Sequence, residues 1–262
     1  MSQYSETKIN KILQHLPKNA VATTKWLGAF GVGSDLLNRY KKSRWFTEVG
    51  YGAVLRTGDK PHWAGALYAL QEQLRLPVHL GGKSAIGYQG YAHYIPLNKR
   101  ESVALFCPYK TSIPKWFEKY DWQAEINVTS TNLFPPEFHD GLKTLEISGF
   151  TLQCATLERA LLEILSHIPM HQSLDEARKI MEGMMTLDPA ITQNLLQKCG
   201  SIKAKRLFLY LAEKENHAWF RKLDIEKIDI GTGNRVVVNG GVVDKKYKIT
   251  VPRNWYQEDE MY

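Results

Sequence analysis

Two groups of residues have part of the spacing that phosphate or metal binding would need. The run Gly81-Gly82-Lys83-Ser84 resembles the end of a phosphate-binding P-loop, but the first glycine of that motif would fall at Pro77. His167 and His171 have the spacing of two metal ligands on one helix, but Pro169 lies between them and would end the helix. The sequence therefore predicts neither a P-loop nor a metal site, and it predicts a tight turn before a helix at Gly81-Gly82.

The acidic residues do not form a recognisable catalytic set either. Glu163 lies four residues after Arg159 and four before His167, which is the spacing of ion pairs on a helix surface. Asp140 followed by Glu146-Ile147-Ser148 resembles a nuclease motif without its lysine. No nucleophile elbow or hydrolase triad is apparent. We therefore predict that the chain is not an enzyme and that it uses no cofactor and no metal.

Positive charge is concentrated near the N-terminus. The 262-residue chain has a formal net charge of +7, and residues 1–60 hold ten Lys or Arg against four Asp or Glu. The remaining residues hold 24 and 23, so that part is almost neutral. A basic segment on a neutral body is typical of a protein that binds a polyanion, because each neutralised phosphate releases condensed counterions.

The basic segment has the periodicity of a helix-turn-helix. Apolar residues recur at helical spacing over 5–16, and a second short helix is predicted over 22–30. The turn Gly31-Val32-Gly33 separates it from a third helix over 34–43, for which Ser34 is the predicted N-cap. Two short helices joined by a tight glycine-containing turn indicate a helix-turn-helix.

A β-hairpin is predicted directly after the third helix. The strand-like runs 45–49 and 53–56 are separated by Gly50-Tyr51-Gly52, as in the wing of a winged helix. The predicted DNA contacts are Ser34, Asn38, Arg39, Lys41 and Lys42 on the third helix, Thr24 and Lys25 on the second, and Arg44 and Arg56 on the wing. Of these, Ser34, Asn38 and Arg39 have side chains suited to base edges, and the others suit phosphates.

We predict an α+β fold with two domains, a winged helix-turn-helix over 1–60 and a mixed α/β domain over 61–262. The second domain begins with an amphipathic helix over about 62–75. Helices are expected over 156–218 and a final β-hairpin over 228–252. Short apolar runs between Gly, Pro and Asn predict a mixed sheet over 78–154, with strands over 91–95, 103–107, 124–128, 142–147 and 150–154.

Local signals predict where several of these elements begin. Ser173 with Glu176 forms a capping box, and Asp188-Pro189 and Ser201 each begin a further helix. Asn239-Gly240 is the predicted turn of the C-terminal hairpin.

A second basic cluster lies on the last of these helices. Lys203, Lys205 and Arg206 are either a second nucleic-acid contact or a solvated helix face.

Cys107, Cys154 and Cys199 are far apart in the sequence and are expected to be reduced, buried thiols. No run approaches the roughly 20 apolar residues of a membrane-spanning helix, and the first residues are polar. We therefore expect a cytoplasmic protein with no membrane contact.

Five strings in a fixed order resemble one protein family. They are Trp63-Ala64-Gly65-Ala66-Leu67-Tyr68-Ala69-Leu70-Gln71, Val78-His79-Leu80-Gly81-Gly82, Leu157-Glu158-Arg159-Ala160-Leu161-Leu162-Glu163, Lys205-Arg206-Leu207-Phe208-Leu209 and Tyr247-Lys248-Ile249-Thr250-Val251-Pro252. With the winged helix before them, they are similar to the AbiEi-type antitoxins of bacterial abortive-infection toxin–antitoxin systems. One departure is that Lys83-Ser84-Ala85-Ile86 is followed at once by Gly87-Tyr88, which weakens the helix expected there.

The resemblance implies a function in phage defence. It implies that the N-terminal domain binds inverted repeats in the chain's own promoter as a transcriptional autorepressor, and that the C-terminal domain carries antitoxicity. It implies an AbiEii-type nucleotidyltransferase-like toxin as the antagonised partner, countered without a stable complex, as in type IV systems.

Two other classes of function remain open from the residues. The first is a ligand-responsive winged-helix transcription factor, in which the region 78–154 binds a small molecule. The second is a nuclease, which the missing acid-acid-lysine set disfavours.

Overall fold

The N-terminal part of the computed structural model is a winged helix. The structure describes residues 7–91, 100–170 and 172–258. The first elements are α1 (Lys8–His15), β1 (Ala22–Thr23), α2 (Thr24–Ala29), α3 (Ser34–Lys42), β2 (Phe46–Gly50) and β3 (Ala53–Arg56). The strands form an antiparallel sheet in the order β1-β3-β2. The predicted order of three helices and a hairpin is therefore confirmed, with a two-residue strand added before α2.

Side-chain caps begin the first two helices, and a backbone turn begins the third. The Thr7 hydroxyl accepts from the Asn10 N–H, and the Thr23 hydroxyl accepts from the Trp26 N–H at 3.2 Å. The predicted N-cap of α3 is wrong, because Gly33 occupies that position without a side-chain bond and Ser34 is the first helical residue. This leaves the Ser34 hydroxyl exposed to solvent.

A mixed five-stranded sheet follows the winged helix. Its region contains α4 (Trp63–Tyr68), a π-helix (Ala69–Gln73), β4 (His79–Leu80), α5 (Gly82–Ile86), a second π-helical turn (Gly87–Tyr91), β5 (Glu101–Pro108), α6 (Lys115–Lys119), β6 (Ala124–Thr131), β7 (Leu142–Ile147) and β8 (Phe150–Ala155). The strand order is β6-β5-β4-β8-β7, with β5/β6 and β4/β8 parallel. The predicted mixed sheet is confirmed, whereas most of the strand predicted over 91–95 lies outside the described residues.

Four helices follow the sheet, and the predicted starts of the last three are confirmed. They are α7 (Leu157–Ser166), α8 (Leu174–Glu182), α9 (Pro189–Lys198) and α10 (Ile202–Lys214). Ser173, Asp188 and Ser201 are the N-caps of α8, α9 and α10, and each side chain accepts a backbone N–H of the first turn. Two 3₁₀ turns, β9 (Val242–Asp244), β10 (Ile249–Val251) and α11 (Arg253–Glu258) complete the chain.

The C-terminal hairpin has a different turn from the predicted one. β9 and β10 pair around residues 245–248, where the Asp244 carboxylate accepts the Tyr247 N–H at 2.7 Å. Residues 235–238 form no strand and contribute one isolated bridge, from Arg235 to Ile249. Asn239-Gly240 does form a turn, but it is not the turn of the hairpin. Pairing across 245–248 instead buries Tyr247, Ile249 and Val251, which the local turn signal does not measure.

The winged helix packs closely against the remainder of the chain. The Val21 N–H points at the Gly65 carbonyl, and a Cβ added to Gly65 would lie 2.2 Å from the Asn19 carbonyl oxygen. Only glycine allows α4 to approach the loop before β1 this closely. The two parts of the chain therefore share one continuous core.

Replacing Gly65 with alanine is expected to lower the free energy of unfolding by about 1–3 kcal/mol, because the added methyl group overlaps a backbone carbonyl. Gly28 is the matched control, since it also lies in a six-residue helix and an added Cβ would have no neighbour within 4 Å. Gly28→Ala should raise the free energy of unfolding by about 0.5–1 kcal/mol. Urea denaturation of both variants measures the difference, and wild-type stability of Gly65→Ala would contradict the close approach.

Candidate nucleic-acid interface

Helix α3 presents a polar and cationic face to solvent. Leu37 is buried against the winged-helix core, whereas Ser34, Asn38, Arg39 and Lys42 are exposed. These four residues lie at spacings of three and four, so they share one side of the helix. Hydroxyl, amide and guanidinium groups in this arrangement can hydrogen-bond to base edges and phosphates.

A cleft of about 400 Å³ separates α3 from the wing. Its walls include Ser34, Asn38 and Lys41 from α3, and Glu48 from β2. Lys41 Nζ lies 3.0 Å from Glu48 Oε2, so this ion pair joins the helix to the wing across the cleft. Lys41 is half-buried, and part of its charge is already matched by Glu48. The predicted phosphate contact at Lys41 is therefore also a contact that positions the wing.

Tyr51 at the tip of the wing is a candidate contact that the sequence reasoning missed. Its side chain is 98% exposed, between Gly50 and a Gly52 with φ of +89°. Its ring and hydroxyl are both accessible at the loop tip, on the same module as the cationic helix. The sequence signal that could have identified Tyr51 is an aromatic residue between two glycines at the tip of a hairpin.

Backbone hydrogen bonds hold α2 and the turn before α3. The Thr24 N–H donates to the Gly52 carbonyl at 2.9 Å, which ties the start of α2 to the wing. Lys8 Nζ donates to the Gly31 carbonyl at 2.9 Å and so fixes the turn between α2 and α3. The Thr24 and Lys25 side chains are exposed at the start of α2, where Thr24 also lines the cleft. Both lie where a helix preceding a recognition helix can reach a DNA backbone.

The two arginines predicted on the wing have different positions. Arg44 is exposed just after α3, at a φ of +57°. Arg56 does not project into solvent, because its Nη2 donates to the carbonyls of Leu13 and Leu16 at 3.2 and 2.7 Å. Its guanidinium satisfies carbonyls at the end of α1, which have no helical partner. The predicted placement of Arg56 among the exposed cations of the wing is therefore wrong.

The second basic cluster is largely buried, which overturns the predicted second nucleic-acid contact at Lys205 and Arg206. Arg206 is 0% exposed, and its five N–H groups donate to backbone carbonyls. Those carbonyls belong to Ile230, Gly231, Thr232, Gly233 and Lys248, at 2.6–3.2 Å. Lys205 Nζ donates to the Asp229 carbonyl at 2.8 Å, and Lys203 Nζ to that of Ile168. Lys205 and Arg206 thus hold the C-terminal segment on α10, and Lys203 holds the loop after α7.

The ion pair predicted on the surface of α7 is also buried. Arg159 Nε lies 3.4 Å from Glu163 Oε1, and both side chains are less than one-tenth exposed. Burial lowers the pKa of the Arg159 guanidinium, and the neighbouring Glu163 carboxylate opposes this effect.

Gly81 precedes α5 directly, so the predicted tight turn before a helix is confirmed.

The remaining titratable groups supply no reactive set. The three cysteines are buried and free, as predicted, and burial raises the thiol pKa of Cys154 to about 12 and of Cys199 to about 11. Within the described residues no group of three His, Cys, Asp or Glu side chains could hold a metal ion, and His171 lies outside them. Among the helices of those same residues, none has the length and apolarity needed to cross a membrane.

Two family profiles match the chain: the N-terminal domain of the AbiEi antitoxin transcriptional regulators over residues 5–97, and the AbiEi antitoxin transcriptional regulators of type IV toxin–antitoxin systems over 100–252. The chain therefore belongs to the AbiEi family of type IV antitoxin transcriptional regulators.

The fold also has a counterpart among solved structures. The crystal structure of the RV2827C protein from Mycobacterium tuberculosis matches with a TM-score of 0.56 at 15% sequence identity, covering 92% of this chain and 88% of that one. At this identity the likeness concerns the fold. No curated protein matches the chain.

Replacing Arg56 with methionine is expected to lower the free energy of unfolding by about 1–3 kcal/mol, because two carbonyls at the end of α1 lose their donor. Arg39→Met removes an exposed guanidinium from the same module and should change stability by less than about 0.5 kcal/mol. Thermal denaturation compares the two variants. Equal stability of both variants would mean that Arg56 does not hold the end of α1 and belongs with the exposed cations.

Proposed function

We propose that the chain binds double-stranded DNA through α3 and the wing and represses the operon that encodes it. The observation that carries this proposal is the exposed polar and cationic face of α3 beside the wing. Membership of a family of transcriptional regulators supports it. The proposed operator is an inverted repeat in the chain's own promoter, because two copies of a single-helix reader recognise paired half-sites.

Each exposed side chain has a proposed role in this complex. Ser34, Asn38 and Arg39 contact base edges in the major groove, since a recognition helix reads bases near its N-terminal half. Lys42 and Arg44 lie at the other end of α3 and contact phosphates. Thr24 and Lys25 contact the phosphate backbone of one DNA strand, and Tyr51 contacts that of the other. Lys41 contacts a phosphate while it stays paired with Glu48.

The antitoxin function is proposed to lie in residues 61–262. In this part, several buried charges are paired or hold the backbone, as for Arg159 and Arg206. The proposed antagonist is an AbiEii-type nucleotidyltransferase-like toxin, countered without a stable complex and without catalysis by this chain. Its family's description as an antitoxin of a type IV system supports this assignment.

Arg39→Ala is expected to weaken binding to the DNA upstream of the chain's own gene by about 1–3 kcal/mol, with little effect on a random duplex, because a base contact is lost. Lys42→Ala should weaken binding to both duplexes alike and reduce the slope of log affinity against log salt by about 1. Gel-shift titrations at two salt concentrations separate the two effects.

Lys198→Ala is the matched control, because it removes an exposed lysine near the end of a helix outside the winged helix. It should leave both affinities and the salt slope unchanged. Equal affinity of the wild-type protein for the upstream and random duplexes would overturn the repressor proposal. Equal losses from Lys198→Ala and Lys42→Ala would overturn the placement of the interface on α3.

Antitoxicity is expected to survive loss of DNA binding. An Arg39→Ala/Lys42→Ala protein, expressed from an unrelated promoter with the toxin, should restore growth as well as wild type while failing to repress a reporter behind its own promoter. Growth assays and reporter activity measure the two functions separately. Loss of both in a folded double variant would mean that antitoxicity acts through DNA, and co-purification of toxin would contradict the absence of a stable complex.

A further inference from the structure

A second cleft, of about 480 Å³, opens at the edge of the five-stranded sheet and is used by none of the functions above. It lies between the π-helix Ala69–Gln73 and the segment that joins β6 to β7. Its volume is in the range of small-molecule sites. His79 of β4 and Arg159 and Glu163 of α7 line it, together with Phe134 and Phe138.

Three buried polar side chains form one connected group in this cleft. Glu163 Oε1 lies 2.7 Å from His79 Nε2 and 3.4 Å from Arg159 Nε, and Glu163 Oε2 accepts the Gly82 N–H at 2.9 Å. His79 is 5%, Arg159 7% and Glu163 1% exposed. The carboxylate is thus fully occupied as an acceptor. Gly81 makes room for it, since a Cβ there would lie 2.4 Å from Glu163 Oε2.

Two polar atoms of this group have no hydrogen-bond partner among the described residues. Arg159 Nη1 donates to the carbonyls of Phe138 and Asp140, and Nε to Glu163, which leaves Nη2. His79 bonds through Nε2 alone, which leaves Nδ1. Neither atom is among the fully enclosed unpartnered side-chain atoms, and both residues line the cleft, so both atoms are accessible to a bound group.

The two free atoms differ in hydrogen-bonding character. When the His79 ring is neutral, the proton that faces the Glu163 carboxylate lies on Nε2 and Nδ1 is an acceptor. Arg159 Nη2 is a donor. One guanidinium charge and one carboxylate charge cancel within the group. The cleft therefore offers one donor and one acceptor on two side chains bonded to the same Glu163 oxygen, without net charge.

One wall of the cleft is aromatic. The rings of Phe134 and Phe138 stack with centroids 5.5 Å apart at 24°, and the Arg159 guanidinium lies 4.6 Å from the centre of the Phe134 ring. At the rim, Arg75 is paired with Glu72 at 2.7 Å, so it adds no unmatched cation. Such a wall suits a planar ring system rather than a phosphate or a branched apolar group.

We propose that this cleft binds a flat, uncharged heterocycle that carries a carbonyl or ring nitrogen next to an N–H group. The ligand's acceptor takes the Arg159 Nη2 hydrogen bond, its N–H donates to His79 Nδ1, and its ring packs on the wall that contains Phe138. The lactam edge of a nucleobase such as hypoxanthine or uracil has this chemistry.

Calorimetric titration of the full chain with inosine, in the absence of DNA, tests the proposal. Inosine should bind saturably, whereas 1-methylinosine should bind at least tenfold more weakly, because the methyl group removes the N–H that faces His79. Both ligands are tested on wild-type protein, so the comparison does not depend on the folding of a variant. Absence of saturable binding by both inosine and uridine, or equal affinity for the methylated nucleoside, would overturn the proposal.

His79→Gln provides a second test, because the glutamine amide can keep the N–H that donates to Glu163 but has no acceptor at the position of Nδ1. The glutamine carbonyl oxygen is an acceptor, but it lies beyond the position of Nδ1, so the variant should weaken inosine binding at least tenfold. His217→Gln is the matched control, since His217 is also buried and bonds through Nε2, to the Met181 carbonyl at 2.8 Å outside the cleft. Equal inosine affinity of both folded variants would contradict the role of His79, and tighter binding of inosine monophosphate than of inosine would contradict an uncharged ligand.

Discussion

Two glutamine side chains of one π-helix join the winged helix to the five-stranded sheet, and the relation between the two halves of the molecule depends on them. Gln71 Oε1 accepts the Gln153 N–H of β8 at 3.0 Å. Two residues further on, Gln73 Oε1 accepts the Thr23 N–H at 2.8 Å and its Nε2 donates to the Val21 carbonyl at 2.6 Å. Separating the two halves would leave buried backbone groups unpaired, at about 1–3 kcal/mol each. The proposed DNA-reading helix is therefore held in one orientation on the body.

Elements determined by local chemistry were predictable from the sequence. The third helix and its wing follow from periodicity and glycine turns, and the starts of α8, α9 and α10 follow from Ser173, Asp188 and Ser201, whose cap bonds reach only the next turn. The exposed part of the candidate interface follows for the same reason, because a helix face can be assigned from spacing. Tyr51 was missed since exposure at a hairpin tip depends on the absence of neighbours, which spacing does not report.

The basic residues that were predicted wrongly share one cause, which is that their partners lie far away in the chain. Arg206 binds carbonyls 24–42 residues distant, and Arg56 binds carbonyls 40–43 residues distant. A buried lysine or arginine that donates to backbone carbonyls instead of water has the same sequence signature as one on a solvated helix face. The prediction of Asn239-Gly240 as the hairpin turn failed similarly, because burial of Tyr247 against the core decided the pairing.

The same π-helix connects the proposed interface and the proposed ligand cleft. Gln71 lines the cleft, while Gln73 holds the strand that leads into α2. This five-residue element contacts both sides, so it links the wall of the cleft to the backbone around Thr23. A ligand changes DNA affinity through this route only by the difference in its affinity for the two arrangements of the π-helix. The coupling is reciprocal, so a ligand that weakens DNA binding by a given factor is itself bound more weakly by that factor on the DNA complex.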